Sequence, residues 1–193
     1  GDAGLTAEQP TADEENQLPM LQQPIHGICS GSTSQWLIGL LESTPCFEDN
    51  RLTELTEITY SSEPFDEPYY INGPIQADVW ITTPQQDANV VVRVTSVSPD
   101  GKSFELSNGI LSARHRAVDE SRSRYLDGQM IQPWHPFTAE AESLLEPLAM
   151  EPTLLQVEIF PTSAVIPAGQ RVRVSIGPGD FPRGLSPLAQ QLE

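Results

Sequence analysis

The chain has 193 residues, with 27 acidic against 10 basic side chains and a formal net charge of −17 at pH 7. Such a charge repels phosphate backbones and anionic lipid surfaces, so neither nucleic acid nor a membrane is expected as a partner. The 18 prolines and 13 glycines disfavour long helices and favour many short strands joined by turns.

No stretch of the sequence reaches the ~20 apolar residues that a membrane-spanning helix requires. No basic stretch followed by an apolar run opens the sequence, so we expect no signal peptide within it. Residues 1–28 are predicted to be an acidic, Gln- and Pro-rich tail or linker, because they contain no sustained apolar period. Residues 29–193 are predicted to form one domain of ordinary size.

The two cysteines, Cys29 and Cys46, flank a short segment. A disulfide between them would stabilise the fold by roughly 3 kcal/mol on the chain-entropy model, and buried free thiols are the alternative. A zinc site is disfavoured because no C-x-x-C motif or histidine cluster lies nearby. A disulfide implies an exported protein, so we predict a secreted or cell-envelope location.

Between the cysteines, Trp36, Leu37, Leu40 and Leu41 recur at helical spacing. Ser34 precedes them as a candidate N-cap. The pattern predicts one short amphipathic helix over Ser34–Glu42, with its apolar face packed on a β-sheet.

The rest of the chain is patterned as strands, with apolar or β-branched residues in short runs. The predicted strands are Leu55–Tyr60, Tyr69–Ile71, Ile75–Ile81, Asn89–Val97, Ser103–Ser107, Ile110–Arg116, Leu154–Phe160 and Arg171–Ile176. Asn72–Pro74 predicts a turn or bulge, Pro99–Gly101 a hairpin turn, and Asn108–Gly109 the end of a strand. Residues 117–147 are predicted to be irregular, and Gly177–Glu193 to cross the surface.

Many short strands with turns between them, and no alternating helices, indicate an all-β antiparallel sandwich or barrel. The long connection over residues 117–147 favours a Greek-key or jelly-roll crossover over a simple meander.

An ordered series of short motifs over about residues 50–190 resembles the C-terminal domain of X-prolyl dipeptidyl aminopeptidases and cocaine-esterase-type (CocE/NonD) hydrolases. The motifs are Thr59–Pro64, Ile71–Ile75, Ala77–Trp80, Val97–Gly101, Leu106–Arg114, Ile159–Thr162, Gly169–Arg173 and Asp180–Arg183. The region around the two cysteines, with Met130–Phe137, resembles an exported bacterial branch of that family.

This resemblance implies a galactose-binding-like jelly-roll sandwich that stands behind an α/β-hydrolase domain of the same polypeptide. In the family, the catalytic Ser, Asp and His belong to that preceding domain, so no catalytic residue is assigned to this chain. We therefore expect a non-catalytic domain without a cofactor, whose parent acts on X-Pro peptides or acyl esters.

Residues within the chain give no sign of a nucleophile site. Ser30–Ser32 lacks the second glycine of a nucleophile elbow and the strand before it. His26, His115 and His135 are far apart in the sequence; His115 is interpreted as a half-exposed strand residue and His135 as a packed loop anchor.

The aromatic loop around His135 is the first candidate surface. The family resemblance, together with the aromatic character of this loop, makes Trp134, His135 and Phe137 candidate interdomain or substrate-rim residues.

A carbohydrate-binding module is the competing interpretation, because sugar sites present aromatic platforms with a few polar groups. Trp80, with Tyr69 and Tyr70, is the candidate platform; burial under a helix or a neighbouring domain is the simpler explanation of these rings.

No metal site is predicted. The acidic runs Asp13–Glu15 and Asp66–Glu67 are interpreted as solvated loops, and Asp180 as a carboxylate that caps backbone amides.

Overall fold

A computed structural model describes residues 2–7, 25–31, 33, 37–38, 48–146 and 151–184. In this part the chain forms strands β1 Asp2–Gly4, β2 Ile58–Ser61, β3 Tyr69–Ile81, β4 Asn89–Val97, β5 Ser103–Ser112, β6 Arg124–Leu126, β7 Gln129–Gln132, β8 Thr153–Ile166 and β9 Arg171–Gly177. The single-turn helix α1 spans Arg51–Glu54, and 3-10 turns span Ala113–His115 and Ala139–Ala141.

The strands form one large sheet and two small ones. The five-stranded sheet has the order β1-β2-β9-β4-β5, in which β1 runs parallel to β2 and the other neighbours are antiparallel. Strands β3 and β8 form a second antiparallel sheet, and β6 with β7 forms a hairpin. The predicted all-β sandwich is confirmed; its jelly-roll connections and galactose-binding likeness stay predictions.

The hydrophobic core lies between the five-stranded sheet and the β3–β8 sheet. It is built from alternate residues of the facing strands, as period-2 patterning requires. The buried core residues are Val79, Val90, Val92, Val94, Leu111, Ala113, Leu145, Leu155, Val157 and Ile159.

The predicted bulge at Asn72–Pro74 is present inside one long strand. β3 runs without interruption from Tyr69 to Ile81, and its register with β8 shifts between Gly73 and Ile75. The Pro99–Gly101 turn links β4 to β5 as predicted, with Gly101 at φ 85°.

The predicted strand end at Asn108–Gly109 is wrong, because β5 continues through both residues to Ser112. Gly109 instead marks a close approach of the two sheets, where an added Cβ would overlap the backbone carbonyl of Glu158. The predicted strand beyond Gly109 is correct up to Ser112, and Ala113–His115 then forms a 3-10 turn.

The connection over residues 117–147 contains a hairpin that the sequence analysis missed. Strands β6 and β7 meet at Asp127 and Gly128, which have φ values of 50° and 82°. Two successive left-handed residues suit a two-residue hairpin turn, and Asp-Gly is a favoured pair for it.

The N-terminal predictions are only partly covered by the described residues. Residues 51–54 form α1, so the predicted strand Leu55–Tyr60 begins late, at Ile58. Of the predicted helix Ser34–Glu42, only Leu37 and Ile38 are described, and they form a turn in which Ile38 has φ 56°. The domain boundary after residue 28 stays a prediction.

The segment after β9 is buried at its start, which corrects the prediction that it crosses the surface. Pro178, Gly179 and Asp180 are buried, and Phe181 N–H donates to the carbonyl of His26 at 2.7 Å. Residues 185–193 lie outside the described part.

Candidate functional site

A buried layer of charged side chains covers the outer face of the five-stranded sheet. Its centre is Arg93, which lies on β4 and has 0% of its surface exposed. Arg93 donates from Nη1 to Glu57 and from Nη2 to Asp180 Oδ1 at 2.9 Å, while Glu105 Oε2 lies 3.8 Å from its Nε. The charge is therefore buried together with its counterions, as a buried guanidinium requires.

The electrostatic balance at Arg93 is set by these carboxylates. Burial alone would lower the pKa of Arg93, but attraction from Glu57, Asp180 and Glu105 outweighs burial and raises that pKa above its usual value. Arg93 is therefore the cation at the centre of the layer.

The layer extends towards α1 and the end of the chain. Arg173 donates from Nη1 to Glu54 Oε2 at 2.8 Å, and Arg183 Nη2 lies 2.7 Å from Asp180 Oδ2. Asp180 thus lies beside two guanidinium groups, and the predicted capping of backbone amides by its carboxylate stays a prediction.

His26 joins the same layer from the N-terminal segment. Its Nε2 lies 3.2 Å from Glu57 Oε1 and its Nδ1 lies 3.5 Å from Thr56 Oγ1. A hydroxyl, an imidazole and a carboxylate in series suggest a nucleophile arrangement, but the Thr56 hydroxyl donates to the carbonyl of Thr53 at 3.0 Å. Its proton is already committed, so the layer holds the segment in place without an activated nucleophile.

Ser30 does not lie on a strand-to-helix elbow. It is buried in a turn, where its hydroxyl lies 3.4 Å from Thr33 Oγ1. Ser32 lies outside the described residues.

The first candidate surface is the loop that carries Trp134, His135 and Phe137. His135 is 7% exposed, and both of its ring nitrogens lie 2.9 Å from backbone carbonyl oxygens, Nδ1 from Ala117 and Nε2 from Gln156. Arg122 stacks on the Trp134 ring at 4.0 Å from its centroid. The structure thus brings the three predicted rim residues into one supported loop.

Phe137 is held in an unusual position at the surface. Its ring centroid lies 5.6 Å from those of both His115 and His135, its φ is 49°, and 62% of its surface is exposed. A bulky residue in the left-handed region persists only where its surroundings enforce that conformation. The ring is therefore positioned by the protein and still presented to solvent.

The hairpin beside this loop is also apolar at its surface. Tyr125 and Leu126 are exposed, and all three residues of β6 face solvent. Leu144, which follows the 3-10 turn Ala139–Ala141, is exposed as well. A two-stranded hairpin with exposed apolar side chains is not stable by itself. Together with Trp134 and Phe137 these residues form what we call the loop surface: Tyr125, Leu126, Trp134, Phe137 and Leu144.

The candidate sugar platform is not a single surface. Trp80 is 64% exposed and Tyr70 is 72% exposed, but they lie at opposite ends of β3. Ten residues of strand separate them by roughly 33 Å. Tyr69 instead stacks on Phe65, with ring centroids 4.5 Å apart.

The remaining sequence predictions concern cysteines, metals and membranes. No cysteine among the described residues is free, and Cys46 lies outside them, so the pairing of Cys29 with Cys46 stays a prediction. Within the described ranges no group of three or more His, Cys, Asp or Glu side chains could hold a metal ion, and no helix is long and apolar enough to cross a membrane. Asp66 and Glu67 are exposed in a bend, whereas Asp13–Glu15 is not described.

The sequence analysis missed the charged layer, although one signal was present. Arg93 is the one charged residue in the β-branched run Asn89–Val97. A charge in a strand buried on both faces must have buried partners, and three acidic residues from other segments, Glu57, Glu105 and Asp180, supply them here.

Comparisons with known proteins match this fold. The model of a family described as the X-Pro dipeptidyl-peptidase C-terminal non-catalytic domain matches residues 2–191. Two proteins named as serine esterases, from Mycobacterium bovis and Mycobacterium tuberculosis, are each 26% identical over 152 residues, which is 78% of this chain and 23% of theirs. Cocaine esterase from a Rhodococcus strain is 22% identical over 126 residues, 65% of this chain and 18% of that protein.

Solved structures agree on the fold. A CocE/NonD family hydrolase from Staphylococcus aureus superimposes with a TM-score of 0.55 at 18% identity, over 67% of this chain and 24% of that one. An α-amino acid ester hydrolase gives a TM-score of 0.53 at 21% identity, over 72% of this chain and 20% of that one. The chain spans about a quarter of the length of the relatives that it matches.

Proposed function

Since the chain belongs to the family of X-Pro dipeptidyl-peptidase C-terminal non-catalytic domains, we propose that it packs on an α/β-hydrolase domain of the same polypeptide and shapes the entrance to its active site. The observation that carries this proposal is the loop surface, with Phe137 held exposed in a strained conformation. Exposed apolar patches of this kind are typical of surfaces that a partner covers.

The chemistry belongs, in this proposal, to the partner domain. The matched relatives are named as serine esterases, a cocaine esterase and ester hydrolases, so the parent is proposed to be a serine hydrolase that acts on acyl esters or X-Pro peptides. The present chain contributes binding surface and no nucleophile.

Hydrogen exchange locates the interface. We expect the backbone amides of residues 117–144 to exchange more slowly in the longer polypeptide than in the isolated chain, whereas amides around Tyr70, an exposed residue on the far end of β3, serve as the control. If amides around Tyr70 are protected in the longer polypeptide and those of residues 117–144 are not, the interface lies elsewhere. That result would contradict the proposed role of the loop surface.

Kinetics test the role at the entrance. In the longer polypeptide, Phe137→Ala is expected to raise KM for an X-Pro-p-nitroanilide or a p-nitrophenyl ester, with a smaller effect on kcat, because a rim residue contacts the entering substrate. Tyr70→Ala is the matched exposed aromatic control. Unchanged KM in both variants contradicts the entrance role, and hydrolysis by the isolated chain contradicts a non-catalytic domain.

The Cys29–Cys46 disulfide and an exported location are part of the same proposal. The support is the absence of a free cysteine among the described residues and the compartments in which structural disulfides persist. Alkylation of the unreduced chain followed by peptide mapping should find neither cysteine labelled; labelling of both would remove the argument for export.

Carbohydrate binding is the second candidate, and the exposed Trp80 favours it. Gln76 donates to Asp78 at 2.7 Å on the same face of β3, which places polar groups beside the ring. Glycan binding that Trp80→Ala abolishes and Phe137→Ala leaves intact would favour this function over domain packing.

A further inference from the structure

The two hydrogen bonds of His135 impose a protonation requirement. Nδ1 faces the carbonyl oxygen of Ala117 and Nε2 faces that of Gln156, each at 2.9 Å. A carbonyl oxygen can only accept a hydrogen bond, and a neutral imidazole carries one N–H. Both bonds therefore form together only when the ring carries two protons.

This bridge joins two parts of the fold that no sheet connects. Ala117 opens the long loop, whereas Gln156 lies in β8 of the β3–β8 sheet. Phe137 follows two residues after His135 and contacts its ring. The bridge therefore adds to the other bonds between the loop and the sandwich, such as that from Gln132 to Glu158.

We propose that His135 is a proton-dependent latch: the doubly protonated imidazole bridges Ala117 and Gln156 and holds the loop surface in place, and loss of one ring proton releases one of the two attachments. The latch itself does not rest on the proposed function; only its effect on the packing of the loop surface against a catalytic domain does.

The charged side chains near the loop bind partners other than His135. Among the residues that the structure describes, no carboxylate contacts His135. The nearby carboxylates bind other partners: Glu142 lies 3.3 Å from Arg114 and 3.7 Å from His115, Asp119 binds Ser121, and Glu158 accepts from Gln132. Arg122 lies on Trp134, and Arg116 bonds Ser143.

The direction of the pH effect follows from the proton count. The folded bridge needs two ring protons, so it forms at acid pH and is lost as the pH rises and the ring gives up a proton. Tightening of the loop on acidification is thus the expected sign, opposite to the usual loosening when carboxylates are protonated.

Nuclear magnetic resonance of the imidazole nitrogens in this 193-residue chain is the direct test of the latch. At pH 5.5 both ring nitrogens of His135 should carry a slowly exchanging proton, and at the alkaline end of the titration only one should. A ring that holds a single proton at both pH values overturns the latch, whatever the loop does.

Hydrogen exchange shows whether the latch moves the loop. After correction for the intrinsic pH dependence of exchange, protection of amides in residues 117–137 should fall about tenfold from pH 5.5 to pH 8.5, as expected for one lost hydrogen bond to a charged group. His135→Gln, whose side-chain amide gains and loses no proton in this pH range, should remove this pH dependence.

His115→Gln is the matched control, because His115 contacts the other side of Phe137 without bridging two carbonyls. It should keep the pH dependence of the loop. If His115→Gln removes the pH dependence of loop protection and His135→Gln does not, the effect belongs to His115. That result would reject the proposal.

The two proposals can fail separately. Imidazole protonation and loop protection are measured in the chain alone, so they do not depend on a catalytic domain. If both behave as expected but residues 117–144 gain no protection in the longer polypeptide, the latch stands and the docking role fails.

Discussion

The two faces of β4 are equally buried but are stabilised by different physics. Val90, Val92 and Val94 face the hydrophobic core, whereas Arg93 and Thr95 face the charged layer, and each of these two is 0% exposed. On the first face, burial itself is favourable, because apolar surface leaves water. On the second face, burial is unfavourable unless each charge keeps its partner.

The difference between the two faces of β4 determines how the segments that cover each face are held in place. The core face needs only apolar side chains of suitable volume. The charged face needs particular groups at particular positions: His26 from the N-terminal segment, Glu54 and Glu57 around α1, and Asp180 after β9. Gly177 is part of this fit, because an added Cβ there would overlap the carboxylate of Glu57.

The largest expected effect comes from removing the central charge. Arg93→Ala leaves Glu57 and Asp180 buried without their cation, and should lower the free energy of unfolding by about 3–5 kcal/mol in urea titrations. Arg51→Ala is the control, since Arg51 pairs with Asp49 at the surface and such pairs contribute little. Equal effects of the two variants would show that the charged layer is not a buried network.

A double-mutant cycle sharpens the comparison. Arg93→Met and Glu57→Met should each destabilise the fold, but the double variant should be more stable than the sum of the two by about 2–3 kcal/mol, because it leaves no Arg93–Glu57 pair half broken. Additive effects would mean that the two side chains do not interact in solution.

A smaller loss is expected on the core face. Val92→Ala removes two buried carbons and should cost about 2 kcal/mol, from transfer and the cavity left behind. Val165→Ala, at an exposed position of β8, should cost much less. A loss larger than that of Arg93→Ala would reverse the ranking of the two faces.

The smallest effect concerns an exposed carboxylate in the loop. A hydrogen bond from the Ser121 side chain lowers the pKa of Asp119, with backbone bonds from Ser121 and Arg122 adding to it and burial opposing it. The stabilisation is present above the unfolded value of about 3.9 and is lost as the pH falls through the lower folded pKa.

Ser121→Ala removes the principal cause, so the pKa of Asp119 should rise towards its usual value in a carboxyl titration by nuclear magnetic resonance. Asp100, whose pKa is lowered by Ser98, should not change in the same spectra. An unchanged pKa of Asp119 would show that its backbone bonds suffice.

Local sequence patterns determined most of the strands and the fold class. The alternation in Ile75–Ile81, the β-branched run Asn89–Val97 and the Pro99–Gly101 turn predicted β3, β4 and the hairpin between β4 and β5, because strand period and turn chemistry act over a few residues. The family resemblance predicted the non-catalytic domain. Trp134, His135 and Phe137 were identified as a candidate surface from the family resemblance together with their aromatic character.

Tertiary structure decided what those local patterns do not encode. Asn108–Gly109 has the composition of a turn but lies within β5, because Gly109 allows the backbone of β8 to approach. Arg93 has three carboxylate partners, Glu57, Glu105 and Asp180, that come from other segments of the chain. The bridge at His135 depends on carbonyls 18 and 21 residues away. Each of these contacts is made between segments that meet only after folding, so no pattern within one segment could reveal them.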